Sequence, residues 1–249
     1  MLRVTGAVIT ANEEANIAAC LRSLAWADEL LVVDSGSTDR TVAIARQLGA
    51  RVAVRPFTTF ADQRNAALTW ATGDWVFFLD ADERMGRALA TQVRAALTSD
   101  YAGFWVPRRN IILGHRMRGG GWWPDKQLRL LRRGRAHYNP ARGVHEVAEL
   151  DGPAGELTAP LLHYNYQRLS QLFAKQRFYA AQEARDRWQR GERVRPHHLL
   201  LQPARAFHRR FIAWQGYRDG AFGAFLAAVM AWYEFMTLVQ LARLGRRSV

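Results

Sequence analysis

Trp75-Val76-Phe77-Phe78-Leu79-Asp80-Ala81-Asp82 is an apolar run that ends in two carboxylates. Five apolar residues in succession fit a strand buried on both faces, the kind found in parallel sheets. Gly73, just before the run, stops a helical pattern over residues 60–72, and Gly86, just after it, opens another that reaches Leu97. Reading back toward the N-terminus gives the same unit again. Val4 to Thr10 is a strand, followed by a helix with Ile17, Cys20, Leu21 and Leu24 on one face. Glu29 to Asp34 is a second strand, and Ser35-Gly36-Ser37-Thr38-Asp39 turns into a helix through Val42, Ala45 and Leu48. Arg51 to Val54 is a third strand. This alternation predicts an α/β fold with a doubly wound, mostly parallel sheet flanked by helices.

Such sheets bind ligands outside the carboxyl ends of their strands. Asp34 and Asp80 are both predicted to end a strand there. Asp80 and Asp82, one residue apart, can face one side. One can hold a divalent cation while the other takes a ribose hydroxyl or a second metal position, with substrate phosphates completing the shell. The plainer reading is that Asp82 and Glu83 cap the next helix. Asp34 can accept a hydrogen bond from a nucleobase N–H, or form an Asx turn. Asp39 or Thr38 suits the capping role. Thr10-Ala11-Asn12-Glu13-Glu14 can line a nucleotide pocket, although acids also suit a helix start. Arg64 can reach a diphosphate or remain a surface residue. Further on, Glu146 can act as a general base and His163 as a metal ligand.

Beyond residue 102 the pattern changes. Ala102 to Pro107 and Gln127 to Leu131 look like strands, separated by the Gly119-Gly120-Gly121-Trp122-Trp123 loop. After Tyr166 the chain is helical, beginning with an amphipathic, arginine-rich stretch over 168–190. Residues 221–241 are apolar apart from Glu234, Thr237 and Gln240 and are flanked by arginines. The stretch is long enough to span a bilayer, but Glu234 at its middle opposes that. A two-helix hairpin at the membrane surface is the expectation, with a buried soluble helix as the alternative. Residues 1–100 hold 10 arginines against 12 acids, whereas residues 101–249 hold 25 basic residues against 10 acids. The positive field therefore belongs to the second half and suits phosphates or anionic headgroups. One cysteine, Cys20, excludes a disulfide framework. No secretory signal is read at the N-terminus, so a cytoplasmic location is expected.

Val8 to Glu14, Val32 to Asp39, Arg64-Asn65, Gly73-Asp74-Trp75 and Leu79 to Glu83 together resemble the inverting family 2 glycosyltransferases of the GT-A fold. The resemblance implies a Rossmann-like GT-A sheet, a nucleotide-sugar donor, Mg²⁺ or Mn²⁺, and inversion at the anomeric carbon. It implies that Thr10, Asn12, Glu13, Asp34, Arg64 and Asp80 bind the nucleotide and that Asp80, Asp82 and His163 hold the metal. It implies a catalytic carboxylate at Glu146, with Asp125 as the rival. Trp123-Pro124-Asp125-Lys126-Gln127-Leu128-Arg129-Leu130, Val144-His145-Glu146, Leu162-His163-Tyr164 and Arg218-Asp219-Gly220 are similar to the bacterial lipopolysaccharide core β-glucosyltransferase subgroup.

The subgroup implies glucose transfer, from UDP, to an inner-core heptose. Related members act on other acceptors, such as a lipid carrier or a protein. Residues 1–166 are expected to form the glycosyltransferase domain, with 1–100 its nucleotide-binding half and 101–166 its acceptor half. Residues 167–249 are expected as a basic helical extension, peripheral on the anionic inner face of the cytoplasmic membrane. Trp122 and Trp123 can stack on a sugar, and the loop from Gly114 to Trp123 can close over the donor. A nucleotidyltransferase would need a glycine-rich or lysine-bearing turn after the first strand, where this chain has acids. Nucleic acid is not an expected partner, because no RNA- or DNA-binding motif accompanies the basic half. A glycosyltransferase-like protein without activity is the remaining alternative.

Overall fold

The computed structural model describes residues 1–140 and 147–247. The first four strands are β1 (Val4–Thr10), β2 (Glu29–Asp34), β3 (Arg51–Val54) and β4 (Trp75–Phe78). They lie side by side in the order β3-β2-β1-β4, and every pair among them is parallel. Helices α1 (Ile17–Ser23), α2 (Thr41–Gln47) and α3 (Phe60–Trp70) connect them. The alternation of side chains explains why helices cover both faces. Val8, Val32, Trp75 and Phe77 join one core with Leu21, Leu24 and Ala45. Ala7, Leu31, Val33, Val76 and Phe78 point the other way and pack with Ala61, Ala67 and Leu68 of α3. A large side chain buried this way is worth about 1.5–3 kcal/mol. Cys20 is buried in the first of these cores, as expected.

Beyond β4 the sheet is mixed. It continues through β8 (Asp125–Arg132), β6 (Gly103–Ile112), β12 (Leu161–Tyr166) and β5 (Glu83–Arg84). The β4–β8 and β12–β5 pairs are antiparallel. Parallel pairing is thus the property of the first four strands, and β11 (Ala154–Glu156) on β6 repeats it, while the two-residue strands β7 (His115–Arg116), on β6, and β9 (Ala136–His137), on β10 (Glu149–Leu150), pair antiparallel. Helix α4 (Arg87–Ala96) adds Leu89 and Val93 to the first core.

The chain divides into two compact units. One comprises Met1–Arg108 and Lys126–His163, the other Arg109–Asp125 and Tyr164–Val249. Residues 109–125 therefore pack with the C-terminal helices. In that second unit, Ile112, Met117 and Tyr166 share a core with Leu172, Leu226, Val229 and Tyr233. Its helices are α5 (Leu169–Gln189), α6 (His198–His208) and α7 (Gly220–Arg247).

Helix α7 corrects one expectation. The stretch 221–241 is not a two-helix hairpin; it lies within one continuous helix. The charge of Glu234, which opposes a span, is paired: Arg187 of α5 donates to its carboxylate at 2.8 Å. One face buries Leu226, Val229, Tyr233 and Leu238, while Trp232 is 55% exposed. By length and composition alone this helix could cross a membrane.

Candidate active site

Strand β4 stops at Phe78, so Asp80 lies two residues beyond its end rather than at its last position. The chain then turns through Asp80-Ala81-Asp82 into β5. Two reciprocal hydrogen bonds close this turn. The Glu83 N–H donates to the Asp80 carbonyl at 2.8 Å, and the Asp80 N–H donates to Glu83 Oε2 at 2.9 Å. Glu83 is wholly buried in a strand, so it is not a helix cap. The cap position of α4 is Gly86, with no side-chain bond.

Arg129 on β8 explains how that carboxylate tolerates burial. Its Nη2 donates to both Glu83 Oε1 and Asp80 Oδ2 at 2.6 Å. Arg64 donates to Asp80 Oδ1 at 3.1 Å, and Arg108 reaches Glu83 Oε1 at 3.3 Å. Burial alone would raise the Asp80 carboxyl, but Arg129 and Arg64 outweigh it and hold it well below the usual range. For Glu83, complete burial drives the carboxyl upward; Arg129 opposes this and the Asp80 charge adds to it.

The two acids of the Asp80-Ala81-Asp82 turn are therefore not equivalent. Arginines hold both oxygens of Asp80. The Asp82 side chain is 26% exposed and its Oδ2 lies 3.2 Å from His163 Nε2. Strand β12 runs antiparallel to β5 with His163 opposite Glu83, which brings the histidine to Asp82 across 81 residues of sequence. An oxygen and an imidazole nitrogen side by side suit a divalent cation such as Mn²⁺, with Mg²⁺ less favoured by the nitrogen. Among the described residues no cluster of three or more histidine, cysteine or acidic side chains has metal-binding geometry. Two protein ligands would leave the rest of a cation's shell to phosphate and water.

The turns after β1 and β2 are stitched together. Asp34 is 1% exposed and its Oδ2 accepts from the Gly36 and Ser37 N–H groups at 2.9 and 2.8 Å. This is the Asx turn. Asn12, at φ 54°, accepts the Thr38 N–H on Oδ1 at 2.9 Å and donates its own N–H to the Ser37 hydroxyl at 2.8 Å. The Glu13 N–H donates to the Thr41 hydroxyl at 2.8 Å. Asp39 Oδ1 accepts the Thr41 N–H at 2.9 Å, one residue ahead of the α2 cap position, which is Arg40 and has no side-chain cap bond. Glu14 accepts the Arg40 N–H at 3.1 Å, at the start of α2.

Among the described residues, the buried hydroxyls of Thr10 and Tyr138 in this unit have no hydrogen-bond partner. Arg64 lies over the Tyr138 ring at 5.6 Å, and Asn65 clamps the Tyr138 backbone through its N–H and carbonyl, both at 2.8 Å. Glu146 lies outside the described residues. Asp125, Trp122 and Trp123 fall in the second unit. There Asp125 Oδ2 accepts from Asn110 at 3.1 Å, Trp122 packs edge-on against Tyr166, and Arg109 covers the Trp123 ring at 3.5 Å. The segment expected as a lid is tied down. Asp219 accepts the Arg118 and Gly119 N–H groups, and the Gly120 N–H donates to the Trp214 carbonyl at 2.7 Å.

Glu83 and Arg129 are the residues that sequence reading missed. Their one signal was a charge amid leucines, Leu128-Arg129-Leu130-Leu131, in a strand that buries its neighbours.

Residues 7–143 match the model of glycosyl transferase family 2. The chain belongs to that family. This family 2 enzyme is 30% identical to the lipopolysaccharide core biosynthesis glycosyltransferase LpsC of Rhizobium meliloti (strain 1021), across 96% of this chain and 92% of that one. It is 27% identical to an uncharacterized glycosyltransferase of Rickettsia felis, across 97% and 90% of the two chains. A crystal structure of glucosyl-3-phosphoglycerate synthase from Mycobacterium tuberculosis, in complex with Mn²⁺, UDP and glucosyl-3-phosphoglycerate, aligns over 70% of this chain and 75% of that one. Its TM-score is 0.48 and its identity 22%.

Removing the guanidinium that joins Asp80 to Glu83 leaves buried charge uncompensated. Arg129→Met is expected to cost about 3–5 kcal/mol in urea unfolding. A cost under about 1 kcal/mol, the value of an exposed ion pair, would mean that Arg64 and Arg108 suffice without it.

Proposed function

We propose that this glycosyltransferase moves a sugar, glucose in the first instance, from a UDP-linked donor to a glycan of the lipopolysaccharide core or a related cell-envelope acceptor, with inversion and with a divalent cation. The observation that carries the reading is the Asp82–His163 pair, an oxygen beside an imidazole nitrogen, next to an Asp80 whose two oxygens are held by arginines. The likeness to LpsC supports the acceptor class.

In this reading Asp82 and His163 hold the cation. When bound, the cation neutralises charge that develops on the leaving diphosphate. Asp80 positions the donor's ribose or stays with its arginines, and Arg64 supplies further positive charge to the diphosphate. Thr10, with its unpartnered hydroxyl, and the Asn12–Glu13 and Asp34 turns form the nucleotide pocket. Glu146 takes the proton of the acceptor hydroxyl as that oxygen attacks the anomeric carbon from the side opposite UDP. Asp125 is the alternative base. Inversion in one displacement needs no covalent intermediate, which agrees with a buried Cys20 whose thiol burial pushes up. The family's GT-A fold, the basic second half and the exposed face of α7 support a cytoplasmic enzyme lying on the anionic inner face of the membrane.

UDP release from UDP-glucose in the presence of acceptor, titrated with Mn²⁺, tests the assignment. Asp82→Asn and His163→Ala are each expected to raise the half-saturating Mn²⁺ concentration by about tenfold or more. Unchanged titrations would remove the pair from metal binding. Glu146→Gln is expected to retain UDP binding and lose turnover by about 10²–10⁴-fold. Normal turnover would transfer the role to Asp125. Trp232→Ser, on the exposed face of α7, is expected to weaken sedimentation with phosphatidylglycerol vesicles, and full sedimentation would dispose of that face as the contact.

A further inference from the structure

The second unit contains a pocket of its own. Arg118, Trp123, Trp214 and Arg218 are among the residues that line it, and its volume is about 450 Å³. That lies within the ~300–1,000 Å³ range of small-molecule sites.

Its walls are fixed in place. Asp219, 6% exposed, accepts the Arg118 N–H at 2.9 Å, the Gly119 N–H at 3.0 Å and a bond from His115 Nε2 at 2.9 Å. A Cβ on Gly119 would stand 2.2 Å from the Gln215 carbonyl oxygen. Gly121 has φ +80°, and a Cβ there would meet the Trp214 ring at 2.5 Å. Glycine at both positions is what allows the loop to lie flat against residues 214–216.

The charge of the pocket is one-sided. Among the described residues the Arg118 guanidinium has no partner, and that of Arg218 bonds the neutral Gln215 side chain at 3.1 Å. Arg210 stands behind them. It donates to the Gly120 carbonyl at 3.1 Å and lies 5.5 Å from the centres of both the Trp122 and Trp214 rings. Burial, helped by the Arg209 charge, pulls the Arg210 guanidinium down to about 10. No acid is among the lining residues, and Asp219, next to Arg218, is already committed to backbone N–H groups.

We propose that this pocket binds an anionic pyranose, a sugar ring bearing phosphate or carboxylate, as part of the acceptor glycan. The apolar side of the ring packs on the parts of Trp123 and Trp214 that line the pocket, and the forks of Arg118 and Arg218 take the anion. Assigning that sugar to the acceptor rests on the function proposed above; the pocket's preference for an anionic sugar does not.

Calorimetric titration of the full chain tests it. Glucose 6-phosphate and glucuronate are the anionic probes, with glucose and inorganic phosphate as controls. At least one anionic sugar is expected to bind about tenfold tighter than either control. The Arg118→Ala/Arg218→Ala double variant is expected to lose about tenfold of that affinity. Both side chains are exposed, and a thermal melt of the variant verifies its fold. Binding of glucose 6-phosphate alone makes the anion a phosphate, and binding of glucuronate alone makes it a carboxylate; either supports the proposal. Equal binding of glucose or inorganic phosphate, no binding of either anionic sugar, or undiminished binding by the double variant overturns it. UDP is titrated separately with Mn²⁺. Failure of UDP alone counts against the nucleotide reading, and failure of the anionic sugars alone counts against the pocket.

Discussion

The Arg129 guanidinium, buried between Asp80 and Glu83, is the contact on which the candidate site depends. A carboxylate as deeply buried as Glu83 is tolerated only with paired charge and satisfied hydrogen bonds. Arg129, Arg108 and the Asp80 N–H supply them. In return Glu83 closes the turn that carries Asp80 and Asp82. The same guanidinium engages Asp80 and leaves Asp82 as the acid that meets His163. The two acids of that turn, about equally exposed, thereby differ in their partners: arginines for Asp80, an imidazole for Asp82.

The opposite side of that edge is built from neutral polar links. Asn12, Ser37, Thr38 and Thr41 tie the turn after β1 to the turn after β2, and Asp34 and Asp39 cap the chain between them. These bonds fix backbone shape before any ligand arrives, which is the condition for a site whose geometry costs little to assemble. Among the described residues, the Thr10 and Tyr138 hydroxyls are buried without a partner in the same unit. Buried polar atoms of this kind are uncommon in folded proteins and are satisfied by water or by a ligand.

The parallel half of the fold was legible because its signals are local. Apolar runs of four to seven residues, broken by Gly49, Gly73 and capping residues, encode β1 to β4 and the helices between them. The position of Asp34 and the burial of Cys20 followed from the same pattern. Pairs distant in sequence were not legible. Glu83 has the local look of a helix cap, and only a partner 46 residues away makes it a core residue. Glu234 looked like an interruption in an apolar helix until Arg187, 47 residues earlier, neutralised it. The loop before Trp123 looked mobile because it is rich in glycine. Those glycines instead permit close packing, and the partner that reveals this, Trp214, lies far along the chain. Composition gave the charge asymmetry of the two halves, but not the gathering of arginines and indoles around one pocket.

The account stands or falls on the division of labour between Asp80 and Asp82. A crystal structure with UDP and Mn²⁺, with the metal located by its anomalous signal, measures that directly. The account predicts manganese in contact with Asp82 and His163 while Asp80 keeps its bond to Arg129. Manganese seated on Asp80 with Arg129 released, or bound away from Asp82 altogether, would contradict it.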